Sequence, residues 1–216
     1  ITNDINKCTE ESFLYSCLLT PQGKFISDFF IFKKDNKFIL ETHSFFHEKL
    51  KKKLSLYKLR SKIIINDMTN LYSYSIFGNL KKDNNTIIYN TDPRNMNIGN
   101  KLIHQIKKPE ILVGFIEIDE KKYHEILIQN LVPLSYCDLE ENKSLLLENN
   151  FENLNSISWD KGCYVGQEIT ARMKYRALLK KKIYSLIVKK GSPQVEQSIK
   201  DDGGNYGKII SIENDS

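Results

Sequence analysis

Residues 13–32 constrain the fold more than any other part of this chain. Phe13 to Leu19 is apolar, Thr20-Pro21-Gln22-Gly23 carries turn chemistry, and Lys24 to Phe32 resumes as an apolar run. Two runs of strand length around a Pro/Gly turn predict an antiparallel β-hairpin. Lys37 to Leu40, after the polar turn Lys34-Asp35-Asn36, predicts a further short strand. From Thr42 to Leu59 the period changes. Phe46, Leu50, Leu54 and Tyr57 fall on one helical face, with lysines on the other.

Apolar runs then predict strands at Lys62–Asn66, Leu71–Phe77, Thr86–Tyr89 and Ile111–Ile118. Asp92-Pro93-Arg94 begins a loop, and Asp119 opens a helix to about Asn130 with Tyr123, Leu127 and Leu131 on one side. Glu140 to Ser158 reads as irregular or weakly helical, and Gln167 to about Leu179 as helical. Past Lys182 come a strand at Ile183–Val188, a turn at Gly191-Ser192-Pro193, a tight loop over 201–205 and a last strand at Lys208–Ile212. This order is α+β with antiparallel hairpins. Residues 1–180 read as one α+β region with a lobe boundary near 60–66. Residues 181–216 read as the start of a small C-terminal β-barrel, because two short strands make no stable domain alone.

No apolar run approaches the ~20 residues of a membrane helix, so no membrane partner is expected. The net charge of +5 invites a nucleic-acid reading. However, only four of the 32 basic residues are Arg (Arg60, Arg94, Arg172 and Arg176), and alanine occurs only at 171 and 177. AT-rich codon usage produces such a composition, so the Lys excess reads mainly as a solvated surface. Residues that run against this bias are better pointers. They gather at 159–177, where the sole Trp, two of the Arg and both alanines lie.

Within that region Gly162 and Gly166 bracket Cys163-Tyr164-Val165, so the backbone can turn sharply and approach a ligand closely. Cys163 precedes a helix start and has Lys161, Arg172 and Lys174 nearby, a setting that favours thiolate. Between Lys161 and Lys190 nine basic residues face one acidic residue, Glu168, which suits an anionic ligand. The competing reading makes Cys163 a small buried hydrophobe and the glycines mere turn formers. The other cysteines, Cys8, Cys17 and Cys137, are scattered, and no two of the four are closer than nine positions. That spacing supports neither a disulfide scaffold nor a zinc or stable cluster site, and a reducing intracellular compartment is expected. His43, His47, His104 and His124 are assigned to surface helices or loops.

Lys161-Gly162-Cys163-Tyr164-Val165-Gly166-Gln167-Glu168 resembles the signature octapeptide of the YgfZ family, folate-binding relatives of the glycine-cleavage aminomethyltransferases. The early Thr2-Asn3-Asp4 is similar to that family's TND segment, and Leu18 to Lys24 with Asp28 to its LLTPQGK…D hairpin. Leu59 to Lys62 resembles its LRSK, Asp92-Pro93-Arg94 its DPR, and Thr170 to Arg176 the segment after the octapeptide. Two departures stand out. Ala177 occupies a position where relatives usually have Gly, and the family's N-terminal strand–helix segment and complete C-terminal barrel are not in this sequence.

The resemblance implies an aminomethyltransferase-like fold and tetrahydrofolate as cofactor. Its implied functional thiol is Cys163. The implied folate-binding side chains are Asp28 and Arg94, together with Lys161, Tyr164, Gln167, Glu168 and Arg172. Asp28 either faces the folate or is a polar residue on an exposed strand face. Arg94 either meets the folate's glutamate carboxylate or holds its own loop, and Trp159 is read as core rather than as a pterin platform. The expected function is accessory, supporting assembly or repair of iron–sulfur enzymes, with reduced folate and iron–sulfur client proteins as partners. The alternatives are a tetrahydrofolate-dependent aminomethyl transferase and a basic RNA-contacting factor for tRNA modification, although no nucleic acid is expected as a direct ligand. The expected location is the cytoplasm, or a mitochondrion or other organelle if a targeting segment has been removed.

Overall fold

The computed structural model describes residues 1–68, 70–176 and 178–212, so Ala177 lies outside the described residues. The predicted hairpin is present. β1 (Leu14–Leu19) pairs antiparallel with β2 (Phe25–Lys34), and β3 (Lys37–Glu41) completes a three-stranded sheet in the order β1-β2-β3. β2 is apolar on successive residues because both of its faces are covered. Phe25, Phe30 and Phe32 enter the main core, whereas Ile26, Phe29 and Ile31 enter a second cluster with Cys8, Leu18 and Leu50. α1 (Ser44–Tyr57) starts where His43 caps it, its ring accepting a hydrogen bond from the Phe45 N–H. It buries Phe46 and Leu50, as its spacing predicts, while Tyr57 stays exposed.

A second sheet has the order β4-β6-β5, made from β4 (Tyr72–Ile76), β5 (Thr86–Thr91) and β6 (Asn100–His104). Its central strand is the one that the sequence conceals. Asn100-Lys101-Leu102-Ile103-His104 looks polar, yet Lys101 and His104 are both buried. Lys101 reaches Glu41 at 3.0 Å and lies 4.3 Å from the Phe30 ring centroid, which joins the two sheets. His104, assigned from sequence to a surface, is instead fully enclosed. Its Nδ1 accepts the Ile106 N–H at 2.9 Å, so Nε2 carries the proton toward Asp83, 3.0 Å away.

Replacing His104 with Leu is expected to cost about 1 kcal/mol, because the partly buried hydrogen bond from the Ile106 N–H loses its acceptor. Urea denaturation of both forms measures this, and an unchanged midpoint would refute it. The Thr86 hydroxyl and then His104 hold Asp83 below its ordinary carboxylate range. Its contribution is therefore present above the unfolded-state pKa and is lost as pH falls through the lower folded value. Acid unfolding should accordingly be less pronounced in His104→Leu than in the parent.

α2 (Glu120–Gln129) begins at Asp119, whose carboxylate accepts the Lys122 N–H, and it buries Leu127. After α3 (Ser135–Asp138) the segment 140–158 is irregular, with one 3-10 turn at Leu147–Asn149. It is nonetheless core. Leu146, Phe151 and Leu154 are fully buried, and Phe151 packs on Phe25 and Tyr15. α4 (Gln167–Tyr175) follows, and a hairpin of β7 (Ser198–Asp201) and β8 (Gly204–Lys208) ends the described chain.

Four predicted strands need correction. Lys62–Asn66, Ile111–Ile118 and Ile183–Val188 form no strand, and Ile64, Ile116 and Ile187 are 82%, 92% and 91% exposed. β-propensity records a fit to a half-buried pleated surface, and these runs have no strand neighbour among the described residues. The last strand also ends at Lys208 rather than starting there, because the turn falls at Asp202-Gly203. The architecture is thus mixed α and β, with antiparallel sheets throughout.

Candidate functional site

The octapeptide is a short bridge fixed at both ends. Lys161 Nζ donates to the carbonyls of Ile1 and Asn3, both at 2.9 Å. Those first residues are themselves bound into the sheet. The Thr2 N–H donates to the Cys17 carbonyl at 3.1 Å, and Thr2 Oγ1 to the Ser156 carbonyl at 2.7 Å. Asn3 Nδ2 donates to the carbonyls of Tyr15 and Asn155, each at 2.8 Å. The TND segment therefore lies between β1 and residues 155–158, with the Lys161 ammonium across it.

At the other end Gly166 precedes α4 with φ +86°. A Cβ there would lie 2.6 Å from the Thr20 carbonyl oxygen and 3.0 Å from the Gly23 Cα. A Cβ on Gly23, at φ +70°, would in turn lie 3.1 Å from the Gly166 carbonyl oxygen and 3.0 Å from Ile169 Cβ. The hairpin turn and the octapeptide turn thus meet backbone to backbone. Gly166 serves this internal seam, not the ligand approach that the sequence suggested.

Between the two anchors Gly162 and Cys163 are exposed, and a Cβ at Gly162 would meet nothing within 4 Å. Tyr164 turns inward and packs on the main core. Burial pushes its hydroxyl up to about 12. Its N–H donates to Gln167 Oε1 at 3.3 Å, which tightens the turn. Cys163 is therefore no core residue.

The other three thiols are less available. Cys17 is fully enclosed, and desolvation followed by Asp28 raises its pKa well above the ordinary value; desolvation also raises that of buried Cys8. Cys137 is exposed, but partial burial and then Asp138 push it up to about 11, so it remains a thiol at neutral pH.

The charged residues nominated around the thiol have other partners. Arg172 pairs with Glu168 at 2.6 Å along the exposed face of α4. Lys174 pairs with Glu152 and stands 4.1 Å from the Trp159 ring centroid. Trp159 packs on the core and meets Tyr175 edge-on at 5.9 Å, in line with its core reading.

Asp28 and Arg94 belong to a separate cluster on the hairpin. Asp28 Oδ2 accepts the Tyr15 hydroxyl at 2.6 Å and the Ser135 hydroxyl at 2.7 Å. Burial and then Asp28 keep Tyr15 well above its ordinary pKa, as a neutral donor. Arg94 grips Asp92 twice, Nε to Oδ1 at 3.0 Å and Nη2 to Oδ2 at 2.8 Å. Its guanidinium also lies 4.9 Å from the Phe30 centroid and 5.5 Å from that of Tyr15. Of the two readings of Arg94, the structure displays the one in which it holds its own loop. Tyr15 and Ser135 escaped the sequence reading, and Asp92 was read there only as part of its loop motif. Asp92 offered a signal, an acid two residues before a rare Arg, while Ser135 offered none.

These arrangements bear on the implied folate. A cleft of about 240 Å³ opens between Asn3, Leu14, Tyr15, Pro93, Asn155 and Ser158. Ligand pockets for molecules of that size run from roughly 300 to 1,000 Å³, and none of the nominated side chains lines this cleft. The nominated residues line no common cleft and do not fit folate as a set; among them only the Tyr164 hydroxyl is buried without a hydrogen-bond partner.

No family model matches the chain. Curated relatives do. The mitochondrial iron–sulfur cluster assembly factor IBA57 of Mus musculus is 26% identical over 214 residues, covering 92% of this chain and 58% of that protein. The Dictyostelium discoideum homologue is 30% identical over 171 residues, covering 71% of this chain and 41% of its own. The Homo sapiens protein is 27% identical over 185 residues, with 79% and 52% covered. The chain spans about half the length of the curated relatives it matches. All three are named mitochondrial, in line with the organellar alternative and against the cytoplasmic one. Over most of its length, then, this chain is a homologue of the IBA57-type iron–sulfur cluster assembly factors.

Proposed function

We propose that this chain is an accessory factor for the assembly of iron–sulfur enzymes in a mitochondrion or related organelle, with Cys163 as its functional thiol. The supporting observation is the octapeptide bridge. Of the four cysteines, Cys8 and Cys17 are buried, Cys137 is held as a thiol, and Cys163 is presented to solvent between two anchors. The relatives carry the assembly role in their names.

Among the described residues no three His, Cys, Asp or Glu side chains converge on a point that would hold a metal ion. Iron–sulfur clusters are generally bound by several thiolates. A cluster handled here is therefore cargo, and its other ligands come from the client or carrier protein that docks at Cys163. Tetrahydrofolate, the ligand implied by the resemblance, has no step in this mechanism, because Asp28, Arg94, Lys161 and Arg172 are held by partners within the protein.

The test is complementation in cells depleted of their own factor. The parent chain, as part of its full-length protein, is expected to restore iron–sulfur enzyme activity, and Cys163→Ser to restore it at least about tenfold less. Serine nearly preserves shape, so the folded protein should accumulate equally. Equal restoration by both forms would remove Cys163 from the mechanism.

A further inference from the structure

The octapeptide begins with a lysine whose role its chemistry leaves open. Among the described residues Lys161 forms no ion pair with a carboxylate, its sequence neighbour Asp160 included. Its ammonium is instead partly withdrawn from water, and Asp4 is the acidic group whose field it feels. Its two hydrogen bonds go to backbone carbonyls, Ile1 O and Asn3 O, at the same 2.9 Å. A side chain that gives up solvent for two carbonyls belonging to another segment acts as a strut between the two.

Residues 2 and 3 supply a rigid footing for such a strut. Thr2 is buried and accepts the Cys17 N–H at 2.9 Å on its Oγ1, while the Ser158 N–H donates to the Thr2 carbonyl at 3.1 Å. The Asn3 N–H donates to Ser16 Oγ at 3.0 Å. Lys161 is thus fixed to β1 through a segment that has little freedom. At the far end the Gly166–Gly23 contact fixes the chain to the β1–β2 turn. Gly162, Cys163 and Val165, all exposed, and the inward-turned Tyr164 span the gap between these supports.

We propose that Lys161 is a positioning residue. By clamping the carbonyls of residues 1 and 3 it sets where, and how rigidly, the Cys163 sulfur is presented to a partner. Without the clamp only the C-terminal support remains, and a glycine next to the cysteine lets the sulfur swing. The inference deepens the functional reading above and rests on it, because a fixed sulfur matters only where that sulfur has a task.

The experiment uses the full-length protein with Cys137→Ser, and with any exposed cysteine outside residues 1–216 also changed to Ser, so that Cys163 carries the nitroxide spin label. Line shapes are compared for Lys161, Lys161→Arg and Lys161→Met, with thermal midpoints beside them. The parent is expected to show a restrained spectrum. Lys161→Met should show label motion faster by about fivefold or more, since two charge-assisted hydrogen bonds are lost. Lys161→Arg, which still offers donors to both carbonyls, should return most of the restraint. Iron–sulfur enzyme restoration by the unlabelled forms, all retaining Cys163, should follow the same order.

A purely structural lysine would lower the midpoint while leaving the line shape of the folded protein unchanged. Identical line shapes in all three forms overturn the proposal. If Lys161→Met does not fold, Lys161→Gln, which keeps an uncharged donor, gives an intermediate spectrum under the proposal and an unchanged one against it. The line shape is independent of the cellular assay. A mobile label together with full restoration by Cys163→Ser would leave the clamp in place and sink the functional reading alone.

Discussion

Gly166→Ala is expected to lower the stability of the protein by about 3 kcal/mol, roughly 1–2 kcal/mol from the left-handed backbone and the remainder from overpacking. The backbone stands at φ +86°, and the new methyl would lie 2.6 Å from the Thr20 carbonyl oxygen. That neighbour is main chain at a hairpin turn and cannot step aside as a long side chain would. For a chain of this size the thermal midpoint should fall by about 6–12 °C. Gly162→Ala is the internal control. Nothing lies within 4 Å of the added carbon, so the change should stay within about 0.5 kcal/mol. Equal midpoints for the two variants would mean that the seam between the hairpin turn and the octapeptide is not a tight contact.

Arg94→Met should cost about 3–5 kcal/mol, because it strands the Asp92 carboxylate in a buried site. Asp92 is only 4% exposed, and Arg94 satisfies both of its oxygens. Arg94→Lys should recover little, since one ammonium cannot reproduce the two-point fork or lie flat over Phe30 and Tyr15. Adding Asp92→Asn to Arg94→Met should cost much less than Asp92→Asn alone, a coupling that a double-mutant cycle in urea reads directly. The outcome that sinks this account is a loss below about 1 kcal/mol. Such a result would make Arg94 a residue kept for a ligand rather than for its own loop.

The legibility of the chain differs from element to element. The hairpin, α1 and α2 were readable because each carries its period and its punctuation within a few residues: Pro21 and Gly23 at the turn, Phe46 and Leu50 one helical turn apart, Asp119 as a cap. β6 was hidden because its polar residues are satisfied by partners from elsewhere, Lys101 by Glu41 and His104 by Asp83. The reverse error arose at 111–118 and 183–188. Those runs have strand composition but no neighbour among the described residues on which to pair.

The site shows the same division. The octapeptide and the exposed thiol were visible as residues that resist a Lys- and Asn-rich composition, and the relatives confirm the resemblance they carry. The purpose of the surrounding residues was not visible. The family resemblance implied one folate site for Asp28, Arg94, Lys161 and Arg172. The fold sends Asp28 to two hydroxyls, Arg94 to Asp92, Lys161 to two carbonyls and Arg172 to Glu168.

The amino-acid order by itself determined the local hairpin and helices, the distinctive thiol and the kinship of the chain, all of which are written in short-range spacing. Tertiary structure alone decided which carbonyl meets Lys161 and which backbone fills the space beside Gly166. Those contacts join residues at opposite ends of the chain, and the energy of a charge or a glycine depends on what the fold brings against it.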